Sequence, residues 1–253
     1  AMSLGNAIGS IICNTGLILA LCHLIKPGKI NSRIFYLKGS MLLLYLVILW
    51  VLASKGFIGH FSSIALFSML IIYILYNVEV IRYKIGSNSK NKQKKKRNIP
   101  SLKKIFSQIL QFLFGALLIL VGAHLLVDYG VVIAEHWSVP PGIIGLTIIA
   151  LGTSLPELIT SISSLRKGHG ELALGNILGA NILNTTLIIG VSANFNDLIV
   201  NPQTLYLDIP MAFIINFLLI IPAFFSKKIT RSHAFILLLV YLLYTGFLFI
   251  YHM

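Results

Sequence analysis

The sequence predicts an all-α integral membrane protein, an inverted-repeat helical bundle of about eight transmembrane helices. Three observations support this fold class. The 253-residue chain is 57% hydrophobic and only 11% charged, whereas soluble domains carry about 25% charged residues. Its apolar stretches are long and uninterrupted, which is typical of membrane helices and not of barrel strands. A segment near the amino terminus recurs later in the chain.

Eight apolar segments are each long enough to cross a hydrocarbon layer of about 30 Å. The predicted spans are residues 3–25, 36–54, 61–82, 105–128, 142–165, 171–195, 208–225 and 233–252, with a short loop at 129–141. No hydrophilic stretch is long enough for a separate soluble domain. We therefore predict three parts, which are a three-helix unit at 1–83, a basic linker at 84–104 and a five-helix unit at 105–253.

The basic residues predict the orientation of the chain. Lys55 lies in a connection on one side of the predicted bundle, and every other Lys and Arg lies on the opposite side. Because cytoplasmic loops carry the excess of Lys and Arg, we expect a multi-pass protein of the cell membrane with loops 26–38, 82–104, 166–170 and 226–232 in the cytoplasm. The net charge of +13 then belongs to these loops and does not indicate a nucleic-acid surface.

The connection 82–104 contains a low-complexity basic run, Asn88–Asn98. Such a run is typical of a solvated linker that contacts anionic lipid, and a regulatory or protein-docking role is the alternative. Two cysteines, Cys13 and Cys22, fall on one predicted helix. Nine residues apart on a helix they cannot form a disulfide with each other, so we interpret both as packing residues.

The recurring segment is an internal repeat. Gly5–Leu21 aligns with Gly175–Val191 at an offset of 170, with eight of 17 positions identical, and Lys38 aligns with Asp208 at the same offset. The loop charges give the two copies opposite directions through the membrane. Inverted repeats with a site at the membrane midplane are an architecture of secondary transporters.

The repeat also predicts a missing part. Two predicted helices, 105–128 and 142–165, precede the second copy, and none precedes the first copy in the printed sequence. By symmetry we expect two further helices ahead of Ala1, one of which carries an acidic partner for Glu157.

Glu157 is an ionisable residue in mid-membrane, where the insertion cost is at least about 2.5 kcal/mol, so a functional site is the first hypothesis. Residues four apart share a helix face, which aligns Glu157 with Thr153 and Ser10 with Asn14. Pro156 removes a backbone donor and kinks its helix, which frees carbonyl groups at residues 150–153 for a ligand.

These side chains offer carboxylate, hydroxyl, amide and carbonyl oxygens, a set that suits hard cations such as Ca²⁺ and Na⁺. A single carboxylate supplies little negative charge for Ca²⁺, which binds six to eight oxygens, often including several carboxylates. We therefore expect a second acidic residue in the site. The i, i+4 pair His124 and Asp128 could bind a metal or relay protons, or form an interfacial pair. No nucleophile–base pair or phosphate loop is visible, so we do not expect an enzyme.

Three motifs, GTSLPEL (Gly152–Leu158), GNILGANILN (Gly175–Asn184) and GNAIGSIICN (Gly5–Asn14), resemble the alpha repeats of the sodium/calcium exchanger superfamily, the calcium:cation antiporters. The resemblance covers essentially the whole chain. It implies a ten-helix antiporter fold of which this chain resembles the third to tenth helices, so that the first two are lacking.

The resemblance also implies roles for individual residues. Glu157 would be one of two central carboxylates shared by Ca²⁺ and Na⁺. The other implied ligands are the side chains of Thr153, Ser154, Asn184, Ser10 and Asn14 and the carbonyl of Ala150. The sequence departs from the family pattern at Ala180, where a serine is usual, at Ile11, where an asparagine is usual, and at Asn184, where some members have aspartate.

The implied function is exchange of Na⁺ for Ca²⁺ by alternating access, with the ions as substrates and no cofactor. Cation/proton exchange on the same scaffold remains an alternative. A second alternative is a transport-inactive chain that acts only in folding or assembly.

Overall fold

The structure, a computed structural model, describes residues 2–30, 32–90, 102–139 and 144–252. These residues form nine helices and four short strands. In chain order they are α1 (residues 2–25), β1 (Gly28–Lys29), α2 (Ser32–Ala53), β2 (Phe57–Ile58), α3 (His60–Lys90), α4 (Leu102–His136), α5 (residues 145–153), α6 (Leu155–Arg166), α7 (residues 170–195), β3 (Leu198–Ile199), α8 (residues 204–226), β4 (Lys228–Ile229) and α9 (Arg231–His252).

Seven helices in the described part of the chain are long and apolar enough to cross a membrane, and α5 with α6 forms an eighth, bent span. The prediction of about eight spans is therefore confirmed. The chain is a multi-pass membrane protein, and many large apolar side chains of its described helices are exposed, as contact with hydrocarbon requires.

Two short antiparallel sheets fix the direction of each repeat. β1 pairs with β4, and β2 pairs with β3. The 22 residues of α2 separate β1 from β2, a distance of about 33 Å at 1.5 Å per residue, so the sheets lie at opposite ends of the bundle. α1 therefore ends at the sheet that follows α8, whereas α7 ends at the sheet that follows α2. The two copies run in opposite directions, as the repeat predicts.

The repeat continues beyond the matching sequence. A residue in the left-handed region follows the second helix of each repeat copy: Gly56 with φ 82° after α2, and Lys227 with φ 51° after α8. Each accepts a hydrogen bond at its carbonyl, from Val200 N at 2.9 Å and from Ile30 N at 3.1 Å respectively. The third helices of the two copies, α3 and α9, follow these residues. Gly56 and Lys227 are 171 residues apart instead of 170, so the second copy is one residue longer by this point.

The aligned pair Lys38 and Asp208 has equivalent neighbours in the two units. Lys38 Nζ lies 5.6 Å from the centre of the Tyr73 ring, and Tyr244 donates its hydroxyl to Asp208 Oδ1 at 2.8 Å. Tyr73 and Tyr244 are themselves equivalent positions of α3 and α9. The packing of second helix on third helix is thus retained in both units although the charge changes sign.

Helix α1 is the centre of the bundle, and α4 is its periphery. In an 18-residue apolar stretch of α1, 78% of residues are buried, whereas none are buried in the corresponding stretch of α4. α1 packs against α5, α7, α8 and α9, whereas α4 packs on α5 and α6. Polar side chains on α1 are therefore enclosed by protein.

Two predicted spans end too early, and one of them is the third, since α3 continues to Lys90, past the predicted end at residue 82. Residues 129–141 were predicted as a loop, but α4 continues to His136. No proline lies between residues 129 and 136, and the helix ends just before Ser138, which adopts φ 56°. Val139 N then donates to Ala134 O at 2.9 Å, a capping arrangement that satisfies a terminal carbonyl.

The left-handed Lys227 gives a prediction of stability. An L-residue in this region costs about 1–2 kcal/mol that glycine avoids, and the equivalent residue of the first unit is Gly56. Lys227→Gly is therefore expected to raise the midpoint of thermal unfolding in detergent. Lys228→Gly, which removes the same charge from β4, is the control and should not raise it. Equal midpoints for the two variants would contradict the assignment of strain to Lys227.

Candidate functional site

The candidate site lies where α1 passes the bend between α5 and α6. These helices meet at Ser154 with a bend of 50°, and Pro156 occupies the first turn of α6, where its missing N–H is tolerated. The predicted kink is confirmed. α6, which carries Glu157, packs against the segment of α1 that begins at Asn14.

Three buried oxygens from these helices form no hydrogen bond of standard geometry with any described residue. They are Asn14 Oδ1, Ser154 Oγ and Glu157 Oε2. A buried polar atom without a partner costs about 1–3 kcal/mol, and more for a charged group, so each such atom needs an explanation. Amide, hydroxyl and carboxylate oxygens are ligands of hard cations, which is an explanation common to all three.

Ser10 and Thr153 join α1 to the bend directly. Their hydroxyl oxygens lie 3.0 Å apart, and Thr153 Oγ1 also lies 3.2 Å from Asn6 Oδ1. The structure thus brings two of the predicted ligands together and adds Asn6, which the sequence analysis passed over. The sequence does indicate Asn6, because the pair Gly5–Asn6 recurs as Gly175–Asn176 in the second copy of the repeat.

The backbone carbonyl of Ala150 has two protein partners in this structure. It accepts hydrogen bonds from Ser154 N at 3.1 Å and from Thr153 Oγ1 at 3.1 Å. The expectation that the kink leaves this carbonyl without a protein partner is therefore wrong for Ala150. That Ala150 is a ligand stays a prediction.

The two predicted asparagine ligands begin equivalent π-helical segments. Asn14 opens Asn14–Leu19, and Asn184 opens Asn184–Ile188 in α7, which packs against α1. Single π turns within helices occur frequently at functional sites because they disturb the regular backbone ladder. Asn184 is half-buried, and its role as a ligand stays a prediction.

Behind Asn14 lies a network of buried polar side chains that the sequence analysis did not assign to the site. Asn14 Nδ2 donates to Asn181 Oδ1 at 3.0 Å, and Asn181 Nδ2 donates to Thr15 Oγ1 at 2.9 Å. Thr15 Oγ1 donates to Asn216 Oδ1 at 2.9 Å. Asn216 is an isolated amide in the apolar run of α8, and this position in the sequence could have indicated a buried polar contact.

Cys13 is buried beside the site, with its side chain next to those of Ser154 and Tyr241. Both Cys13 and Cys22 are free and buried, as their spacing predicts. Ser161 lies one helical turn beyond Glu157, and its hydroxyl is likewise buried with no hydrogen bond to a described residue. The polar face of α6 therefore continues past Glu157.

The second candidate, His124 with Asp128, lies away from this site on α4. His124 Nε2 and Asp128 Oδ2 are 3.3 Å apart, and the side chains are 77% and 52% exposed. Within the described residues no three His, Cys, Asp or Glu side chains are grouped to hold a metal ion. The pair is a surface pair on a peripheral helix.

An inverted repeat of three helices, with buried oxygens where a central helix meets a broken one, defines the class of secondary-transporter folds. The model of the family described as sodium/calcium exchanger protein matches residues 1–79 and 107–250. The chain belongs to this family, and the resemblance of its repeat motifs is confirmed.

Individual relatives agree with this membership. The chain is 35% identical over 195 residues to an uncharacterized membrane protein, MJ0091, of Methanocaldococcus jannaschii, covering 77% of this chain and 61% of that protein. It is 28% identical to the sodium/calcium exchanger MaX1 of Methanosarcina acetivorans, covering 97% of this chain and 79% of that one. The chain thus spans about three fifths of the length of MJ0091.

A solved structure is similar over nearly the whole chain. The sodium-calcium exchanger NCX_Mj, soaked with Na⁺ and Sr²⁺, superposes with a TM-score of 0.75 at 29% identity, covering 97% of this chain and 76% of that one. The bundle described above is therefore the exchanger fold.

Proposed function

We propose that this chain exchanges Na⁺ for Ca²⁺ across the membrane by alternating access. The observation that carries the proposal is Glu157 Oε2, a carboxylate oxygen buried inside the bundle with no hydrogen bond to a described residue. MaX1 and NCX_Mj, which resemble this chain over 97% of its length, are named as sodium/calcium exchangers, and this supports the proposal.

The proposed ligands contribute only oxygen. They are Glu157, Thr153, Ser154, Asn184, Ser10 and Asn14 through their side chains and Ala150 through its carbonyl. Either ion would neutralise the Glu157 carboxylate, so Ca²⁺ and Na⁺ compete for one set of ligands. The ions are substrates in this proposal, and no cofactor takes part.

Alternating access follows from the inverted repeat, because two oppositely directed halves can expose one site to either side in turn. In this chain α1 would carry the coupling. Its hydroxyl and amide side chains reach the α5–α6 bend at one point and α7 at another, so a movement of either half changes the ligand set.

The test is ⁴⁵Ca²⁺ uptake into liposomes that contain the purified protein. Uptake driven by an outward Na⁺ gradient, and unaffected by a pH gradient, is expected. Uptake driven by the pH gradient alone would establish cation/proton exchange instead. Uptake under neither gradient, by protein from its full natural reading frame, would support the assembly role and overturn transport.

The finer placement in the cell belongs to the same proposal. We place the protein in the cell membrane with loops 26–38, 82–104, 166–170 and 226–232 in the cytoplasm, supported by their basic residues. The basic loop 82–104 would contact anionic lipid; its residues 91–101 lie outside the described part of the chain. The units 1–83 and 105–253, the linker 84–104 and an acidic partner for Glu157 on a further helix also remain predictions.

A further inference from the structure

Four buried polar side chains connect α8 to the candidate site by way of α1 and α7. They are Asn216 on α8, Thr15 and Asn14 on α1, and Asn181 on α7. None is more than 1% exposed. A side-chain amide donates through its nitrogen and accepts through its oxygen. In a connected set, the partners of each amide therefore show which way its oxygen points.

The direction is fixed at Asn216. Its Nδ2 donates to the backbone carbonyl of Ala212 at 2.8 Å, and a carbonyl can only accept. The amide is therefore oriented with Oδ1 away from its own helix. There Oδ1 accepts from Thr15 Oγ1 at 2.9 Å and from Asn181 Nδ2 at 3.4 Å.

This orientation passes on to Asn181 and then to Asn14. Asn181 Nδ2 donates to Asn216 Oδ1 and to Thr15 Oγ1, so its oxygen is the atom that faces Asn14. The Asn14 nitrogen faces this oxygen, because Asn14 Nδ2 donates to Asn181 Oδ1 at 3.0 Å. Asn14 Oδ1 is consequently left buried and without a hydrogen bond to any described residue, as a cation ligand should be.

The other half of the repeat lacks this arrangement. The positions equivalent to Asn181 and Asn216, 170 residues earlier, are Ile11 and Leu46, both fully buried. Neither can form a hydrogen bond through its side chain. The orientation of Asn14 is therefore imposed from outside its own helix, whereas the equivalent Asn184 has no such support from the corresponding positions.

We propose that Asn216 is a positioning residue for cation binding: acting through Asn181, it holds the Asn14 amide with its oxygen directed to the cation. The ligand class is a hard cation, with Ca²⁺ as the probe, and the inference rests on the proposed function. Asn216 itself touches only protein groups.

The test measures the Kd of purified protein for Ca²⁺. Asn216→Leu introduces the apolar residue type found at the equivalent position, Leu46. It removes the hydrogen bond that Asn216 donates to Ala212 O and the two that it accepts. The Asn14 amide can then rotate and present nitrogen to the cation, and we expect Ca²⁺ binding to weaken about tenfold, the equivalent of 1.4 kcal/mol. Asn77→Leu is the matched control, because Asn77 Nδ2 also donates to a carbonyl one turn earlier, Tyr73 O at 2.7 Å. It should leave the Kd unchanged.

A double-mutant cycle separates positioning from general destabilisation. In an Asn14→Ala background there is no amide to orient, so adding Asn216→Leu should cause no further loss of Ca²⁺ affinity. An equal loss in both backgrounds would overturn the proposal, as would an unchanged Kd for Asn216→Leu in the wild type. Absence of Ca²⁺ binding by the wild type would overturn the proposed function and this inference together.

A milder pair of variants applies if Asn216→Leu does not fold. Thr15→Val removes one link of the network with little change of shape and is expected to weaken Ca²⁺ binding severalfold. Thr185→Val is its control, since the Thr185 hydroxyl donates to Asn181 O within its own helix at 2.8 Å. Equal Kd values for the two variants would contradict the proposal.

Discussion

Glu157→Gln is expected to reduce Na⁺-driven ⁴⁵Ca²⁺ uptake at least about 100-fold. The variant keeps the size of the side chain and one oxygen but removes the negative charge from the proposed ligand set. Loss of one partner from a buried charge interaction costs about 3–5 kcal/mol, and each 1.4 kcal/mol is tenfold in affinity. Uptake into liposomes with matched amounts of inserted protein measures the effect.

The control for this variant is Glu171→Gln. Glu171 lies in the first turn of α7 and is exposed, so the same change of charge there should leave uptake at the wild-type rate. Comparable thermal unfolding of the two variants would show that both are folded. If Glu157→Gln transported at more than a tenth of the wild-type rate, Glu157 would not be a central ligand.

The second large effect is expected at Gly9, where α1 crosses α5. A Cβ atom at Gly9 would lie 2.8 Å from Leu146 O and 3.0 Å from Ala150 Cβ, closer than packed atoms allow. Backbone atoms cannot move aside as a side chain can, so Gly9→Ala should force α1 away from α5. Overpacking of this kind costs about 1–3 kcal/mol. It should also break the contact between Ser10 and Thr153, and uptake should fall at least about tenfold.

Gly175→Ala is the matched control for Gly9→Ala. Gly175, like Gly9, is a glycine of one of the repeated motifs (Gly175–Asn184 and Gly5–Asn14), but a Cβ atom there would have no neighbour within 4 Å among the described residues. Thermal stability and uptake should remain close to wild type. Equal behaviour of the two variants would contradict the close packing of α1 on α5.

Much of the fold could be predicted because its signals are local or repeated. The apolar runs gave the spans, and the copy of residues 5–21 at 175–191 gave the inverted architecture that the two sheets display. The site was indicated by polar residues where lipid tolerates few. Pro156 predicted the break, and the spacing of Ser10 and Asn14 predicted one polar face on α1.

The remaining features depend on tertiary packing that no local pattern contains. Asn216 lies 35 residues after Asn181 and 201 after Thr15, so only the packed bundle shows that they meet. The π-helical segment that begins at Asn14 has no composition signal that distinguishes it from an α-helix. α4 continues to His136 although about 20 residues are enough to cross the hydrocarbon layer, so the thickness of the membrane does not predict where this helix ends.

The most direct measurement is equilibrium binding of ⁴⁵Ca²⁺ to the purified protein under rising Na⁺ concentration. If buried oxygens around Glu157 form one site shared by both ions, wild-type protein binds Ca²⁺ saturably, Na⁺ displaces it completely, and Glu157→Gln binds neither at the same concentrations. Saturable Ca²⁺ binding that Na⁺ does not displace, or that survives unchanged in Glu157→Gln, would contradict the shared site.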